Sequence, residues 1–199
     1  NNIYVTDNLG FVYVYNYEQN KILWAKNLKI PFRSNIKITN NFIITADQNN
    51  NLYFFDKKNG NLFSTIPTEE TIVKNSFVNN ISIDNDEKNL YFLNSYGSLY
   101  SIDLKNLSIN WFINLNQSLD LNPSNLFLGS PVVNNDKYII VSSNQNTYIL
   151  NKENGSIVNK KNFSITLRPI VKKNYAFFVT KNNFLISVEL SSGNTLYAY

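Results

Sequence analysis

The run IDNDEKN (83–89) brings Asp84, Asp86 and Glu87 close together, the densest carboxylate cluster in the chain. Alternating acidic side chains offer hard oxygen ligands of the kind Ca²⁺ takes. The run lacks the glycine and the distal glutamate of a calcium loop, and it falls between two apolar runs. It reads as an exposed hairpin turn. The remaining carboxylates are scattered about one to a turn, so no second cluster offers acid–base chemistry. The chain has no His, which closes the usual route to a general base near neutral pH, to Ser–His–Asp chemistry and to imidazole-ligated metal. It has no Cys, which excludes disulfides, thiolate nucleophiles and Cys-based metal sites. The expectation is a chain without catalytic residues, bound metal or cofactor.

Eighteen basic residues stand against 14 acidic ones, a net charge of +4. Lys-Lys pairs fall at 57–58, 160–161 and 172–173, each in an expected turn. Nucleic-acid binders gather such charge on one face and place aromatics to stack on bases. Here the aromatics fall inside strands, so the pairs read as solvated turns and no nucleic-acid partner is expected. Five Asn-x-Ser sequons are what this asparagine-rich composition yields by chance. No run of 18 apolar residues spans a membrane. The start, NNIYVTD, has neither a basic n-region nor an apolar h-region, so any signal peptide or lipid anchor is expected outside this sequence.

The elements that must position any site come from a repeat. NLYFFDKKNG (51–60) returns as GFVYVYNYEQN (10–20), GSLYSIDLKN (97–106), NTYILNKENG (146–155) and FLISVELSSG (184–193). Each is an aromatic-rich strand that closes on a polar residue and breaks into a turn. The closing residues are Asn16, Asp56, Asp103, Asn151 and Glu189, spaced by 40, 47, 48 and 38 positions. A shorter strand precedes each copy, a third follows it (KILWAKNL, 21–28; SINWFINL, 108–115), and a lead-in joins successive units. A period of 40 to 50 residues with four strands per unit is the mark of a β-propeller blade. In 52–55, Leu52 and Phe54 alternate with Tyr53 and Phe55, so both faces of that strand need apolar cover.

The expected fold is therefore all-β, a propeller of four-stranded blades. About five repeat units are present, at approximately 1–33, 34–78, 79–128, 129–166 and 167–199. They form a single propeller domain or a segment of a longer propeller of seven or eight blades. Trp24 and Trp111, at matching places in units one and three, are expected to pack between blades. Gly97, Gly155 and Gly193 are expected to supply turn geometry.

The units IYVTDNLGFVYVYNYEQNKILW and SPVVNNDKYIIVSSNQNTYILNKENG resemble the quinoprotein-type, PQQ-like propeller repeat over essentially the whole chain. Two branches share it: pyrroloquinoline-quinone dehydrogenases and BamB-like scaffolds of bacterial outer-membrane protein assembly. The dehydrogenases build a pocket around Ca²⁺ and an Asp base, several with a vicinal disulfide that this chain cannot form. The BamB-like branch engages BamA through a loop carrying apolar–x–apolar–Arg, which here matches Ile30-Pro31-Phe32-Arg33. Carried over, the resemblance makes Ile30 and Phe32 apolar anchors and Arg33 a polar one, and it leads to an exposed Arg33. The branch also uses an acidic pair in the following link, where this chain has Ser76 and Val78. A second run of the type, Ile165-Thr166-Leu167-Arg168, ends the fourth unit.

What the resemblance implies is a non-catalytic, periplasmic, monomeric scaffold at the bacterial outer membrane, bound to BamA-like periplasmic modules and touching the membrane only through its partner or an anchor. Two other readings stand beside it: a quinone-dependent or other ligand-binding propeller enzyme, and a sensor or interaction propeller with an unrelated partner. Fold does not choose among them.

Overall fold

A computed structural model describes residues 1–69, 78–116, 127–165 and 167–199. Among the described residues there is no helix, only nineteen β-strands in five antiparallel sheets. The chain divides into two compact units, Asn1–Ile81 and Ser82–Tyr199.

The first unit holds two sheets. β1 (Asn2–Thr6), β2 (Phe11–Asn16) and β3 (Lys21–Asn27) form one of three strands. β4 (Lys37–Ile38), β5 (Phe42–Ala46), β6 (Leu52–Asp56) and β7 (Leu62–Ile66) form one of four. Strands follow one another in space as in sequence, the meander of a propeller blade. Leu52, Tyr53, Phe54 and Phe55 of β6 are all buried, so both faces of this inner strand are covered. Each such side chain contributes about 1.5–3 kcal/mol by leaving water. Val12 and Val14 of β2 pack against Ile43, Tyr53 and Phe55 in one apolar cluster.

The second unit repeats the plan three times, the unit boundary falling within the first strand of the first repeat. β8 (Asn80–Ile83), β9 (Asn89–Leu93), β10 (Ser98–Asp103) and β11 (Ser108–Asn114) make one sheet. β12 (Val133–Asn134), β13 (Tyr138–Ser142), β14 (Thr147–Asn151) and β15 (Ile157–Lys161) make the next. β16 (Ile170–Lys172), β17 (Tyr175–Val179), β18 (Leu185–Glu189) and β19 (Thr195–Ala198) make the last. Tyr91, Leu99, Val141 and Tyr148 sit in one cluster between the first two sheets. Ile140, Ile149, Phe178 and Val188 sit in another between the last two. The outer strands are the exposed ones, as in β11 and β19, because nothing in the unit pairs with their far edge.

Two devices recur beneath the differing residues. Each sheet has a β-bulge between its last two strands, after Val14, Phe54, Ser101, Ile149 and Ser187. The extra residue (Leu23, Phe63, Asn110, Val158 or Leu196) increases the local twist. The hairpin before each inner strand is tied by a side-chain oxygen. Asp7, Asp47 and Asn94 each accept two backbone N–H bonds through Oδ1, and Ser143 does the same through Oγ. Thr180 Oγ1 accepts one, from Phe184 N. These are the Asx and Ser/Thr turns that replace missing backbone partners.

Candidate partner-binding site

The link from β3 to β4 carries Ile30, Pro31, Phe32 and Arg33, and backbone bonds hold it on both flanks. Leu28 N donates to Gly10 O (3.0 Å) and Phe32 N to Asp7 O (3.1 Å), both in the β1–β2 turn. On the other side Arg33 N donates to Ala46 O (2.9 Å) and Gln48 N to Pro31 O (2.9 Å). Phe32 and Asp47 form an isolated antiparallel bridge. The link is thus pinned between two hairpins, a rigid mount for what it displays.

Phe32 is not on display. It is 6% exposed and meets Tyr53 edge-on at 5.9 Å and Phe55 at 6.3 Å, within the cluster around Val12 and Val14. The expected apolar anchor is therefore a core side chain, because the bridge to Asp47 turns it inward. Ile30 and Arg33 are half-buried, so Arg33 is less open than the resemblance led one to expect. Its Nε is buried without a hydrogen-bond partner, as is Oδ1 of the buried Asn79, whose backbone N donates to Arg33 O at 2.6 Å. Beneath the link, Tyr53 donates to Asp47 Oδ2 at 2.9 Å. Burial and the neighbouring Asp47 carboxylate push its phenol well above the ordinary range.

Of the two positions where acids were sought in the following link, Ser76 lies outside the described residues and Val78 is exposed and apolar. The second run also departs from its sequence appearance. Ile165 forms the bridge to Thr180 that Phe32 forms to Asp47. Arg33 follows its bridge residue directly, whereas Arg168 lies three residues past Ile165. The two runs match as text and not in space.

The carboxylates at 84–87 are used structurally. Asp84 is 5% exposed, and its Oδ1 meets Lys152 Nζ at 2.8 Å and accepts from Asn134 Nδ2 at 2.6 Å. Its Oδ2 accepts from Asn89 Nδ2 (3.1 Å) and Tyr91 Oη (3.2 Å). Asp86 pairs with exposed Lys88 at 2.8 Å. With Asp84 committed to Lys152, no Ca²⁺ ligand set of the quinone-dependent kind assembles here, and no group of three or more His, Cys, Asp or Glu converges among the described residues. Pairing Asp84, in the β8–β9 turn, with a lysine in the β14–β15 turn of the next sheet is a contact that no local reading of IDNDEKN could find.

Residues 1–199 match the family described as "Outer membrane protein assembly factor BamB" (PQQ_2). The chain belongs to the BamB family. Among solved structures, this BamB-family chain is similar to the crystal structure of BamB from Moraxella catarrhalis, with a TM-score of 0.71 and 11% identity. The likeness covers 99% of this chain and 61% of that one. It is equally similar in fold to a chain of the Mitotic Checkpoint Complex crystal structure, with a TM-score of 0.75, 11% identity, and 100% and 62% coverage. The BamB-family chain thus spans about three fifths of the length of these neighbours, and at such identity they show the β-propeller fold alone. No curated protein matches the chain.

Proposed function

We propose that this chain is a non-catalytic scaffold that binds protein partners during the assembly of outer-membrane β-barrel proteins, and that it works in the bacterial periplasm on BamA-like periplasmic modules. Its contact surface is the β3–β4 link, with Ile30 and Arg33 meeting the partner and Phe32 holding the link from behind. The observation that carries this reading is Arg33 itself, a half-buried cation mounted near Ile30 on a link whose backbone is fixed on both flanks. Family membership supports the scaffold role, and partly buried Arg beside an apolar residue is the composition of an interface hot spot. Held in place before binding, such a group loses little conformational freedom on association.

The test is capture of the purified periplasmic modules of the BamA-like protein by the wild-type chain and by Arg33→Glu. The proposal expects saturable capture by the wild type and about a tenfold loss in the variant, with the β-sheet circular dichroism unchanged. Equal capture by both would remove the link from the interface. No capture by either would remove the partner.

A further inference from the structure

Cross-strand pairing sets one matching row of side chains on each sheet. In the β1–β3 sheet Tyr4 stands opposite Val14, and Val14 opposite Trp24. In the β8–β11 sheet the row is Tyr91, Ser101 and Trp111. In the β16–β19 sheet it is Phe177, Ser187 and Tyr197. All three rows read aromatic, small, aromatic. The sheets between them differ, with Ile44, Phe54 and Ser64 in one and Ile140, Ile149 and Asn159 in the other. Sheets of two types therefore alternate along the chain.

Two of the aromatic rows are covered, and by the same kind of sheet. Tyr4, Val14 and Trp24 pack with Tyr53 and Phe55 of the β4–β7 sheet, and Trp24 lies against Gly60. Tyr91 and Trp111 pack with Tyr148 and Leu150 of the β12–β15 sheet, and Trp111 lies against Gly155. The covering sheets share a sequence that the other three lack: NLYFFDKKNG (51–60) and NTYILNKENG (146–155) both read Asn-x-Tyr-x-x-Asp/Asn-Lys-x-Asn-Gly. The tyrosine lies on the packed face, the lysine carbonyl accepts the indole N–H, and the glycine leaves room for the ring.

The third aromatic row has no such cover. Ala176, Phe178 and Val188 are buried against Ile140 and Ile149, so strand alternation turns Phe177, Ser187 and Tyr197 to the other face. Tyr197 is 37% exposed, and Ile170, paired with Phe177, is 69% exposed. Val133, at the place of Ile170 in the preceding sheet, is 6% exposed. No sheet of residues 1–199 is free to fill the gap. The Gly60 and Gly155 turns already hold Trp24 and Trp111, and the Gly193 turn holds Asn159. In the two remaining sheets Asn20 and Leu107 take the place of the glycine, each with positive φ and each bearing a Cβ.

We propose that the face bearing Phe177, Ser187 and Tyr197 docks one further four-stranded sheet of the Gly60 and Gly155 type, carried by the same polypeptide beyond residue 199. In both packed pairs the covering sheet follows the covered one in sequence, and that order picks the source. The incoming sheet is recognised by a tyrosine on the packed face of its second strand, by Asp or Asn then Lys where that strand closes, and by glycine three residues past the lysine. Burial of the aromatic row drives the docking, and the room left by the glycine selects which sheet docks. This face lies in a different unit from the β3–β4 link and does not depend on that link's partner.

The test is hydrogen exchange on the whole chain extended after Tyr199 by a copy of residues 114–161. That junction puts Tyr199, paired with Leu185, in the place of Ile113, paired with Leu99. Amides of β18 and β19 are expected to exchange about tenfold more slowly than in the unextended chain. Gly155→Asn in the appended copy, which adds the Cβ that Asn20 carries, is expected to abolish that gain. Tyr197→Ser in the receiving sheet is expected to restore it. The unextended chain supplies a measurement that needs no new sheet to fold. There Tyr197→Ser is expected to move the urea midpoint far less than Trp111→Ala, and sedimentation is expected to give a monomer. No gain from the extension, a gain indifferent to the glycine, or a midpoint loss in Tyr197→Ser as large as in Trp111→Ala overturns the proposal. A dimer that Tyr197→Ser dissociates overturns it in favour of a second copy of the chain.

Discussion

Trp111 of one sheet lies against Gly155 of the next, and its Nε1 donates to Lys152 O at 3.3 Å. Trp24 repeats the arrangement with Gly60 and Lys57 O at 3.4 Å. A Cβ added to Gly155 would fall 2.5 Å from Trp111 Cε3, and its φ of +73° disfavours any other residue. The glycine is thus fixed by the neighbouring indole as well as by its turn. Gly155→Ala is expected to lower stability by about 2 kcal/mol, combining overpacking with the left-handed backbone. Trp111→Ala is expected to cost about 3 kcal/mol. Urea unfolding of each and of the double variant checks this. The double variant should cost less than the sum, because one contact is lost twice.

A second prediction concerns Asp84 and Lys152, a pair with side chains 3% and 19% exposed. Lys152→Met leaves a buried carboxylate without its cation and is expected to cost about 3–5 kcal/mol. Asp84→Asn with Lys152→Met removes both charges and should recover most of that loss. A double variant as unstable as Lys152→Met alone would show that the charge pair is not what holds the turn.

Tyr53 and Tyr91 give the unit cores a pH dependence. Burial, followed by the Asp47 carboxylate for Tyr53 and the Asp84 carboxylate for Tyr91, raises both phenols above their ordinary value of about 10. The unfolded chain releases these protons first, so the two tyrosines contribute in full below about pH 10, and that contribution falls as pH rises further. Urea midpoints measured from pH 8 upward should decline steeply past that value. Tyr53→Phe with Tyr91→Phe should flatten the decline.

Much of this architecture is legible in the chain. The five recurrences of an apolar strand ending on a polar residue fall in β2, β6, β10, β14 and β18, and the paired tryptophans lie between sheets. Other features are hidden for physical reasons. The five bulges follow residues as different as Val14 and Ser187, because a bulge is a matter of backbone register. The turn-tying residue is Asp, Asn, Ser or Thr by unit, so its role repeats where its identity does not. At the candidate site, Phe32 alternates with Arg33 in a short link, and only the bridge to Asp47 decides which one faces inward. The offset of Arg168 from Arg33 arises the same way, since bridge register and not motif spacing sets equivalence.

Phe32 and Arg33 should consequently fail in different ways. Phe32→Ala opens a cavity in a packed cluster and is expected to cost about 3–5 kcal/mol of stability. Arg33→Glu, at a half-buried position outside that cluster, is expected to cost clearly less than Phe32→Ala. Thermal unfolding of the two variants separates a core residue from a contact residue.

Quinone chemistry is the clearest competing activity. Incubation with pyrroloquinoline quinone and Ca²⁺, followed by an alcohol or sugar oxidation assay with an artificial electron acceptor, is expected to give no turnover above background. Turnover would replace the scaffold reading with an enzymatic one.

The most direct measurement is isothermal titration of the purified BamA-like periplasmic modules into the wild-type chain, Arg33→Glu and Arg168→Glu. The account predicts saturable heat with the wild type, an affinity about tenfold weaker for Arg33→Glu, and wild-type affinity for Arg168→Glu. No binding by the wild-type chain, or an equal loss in both variants, would contradict it.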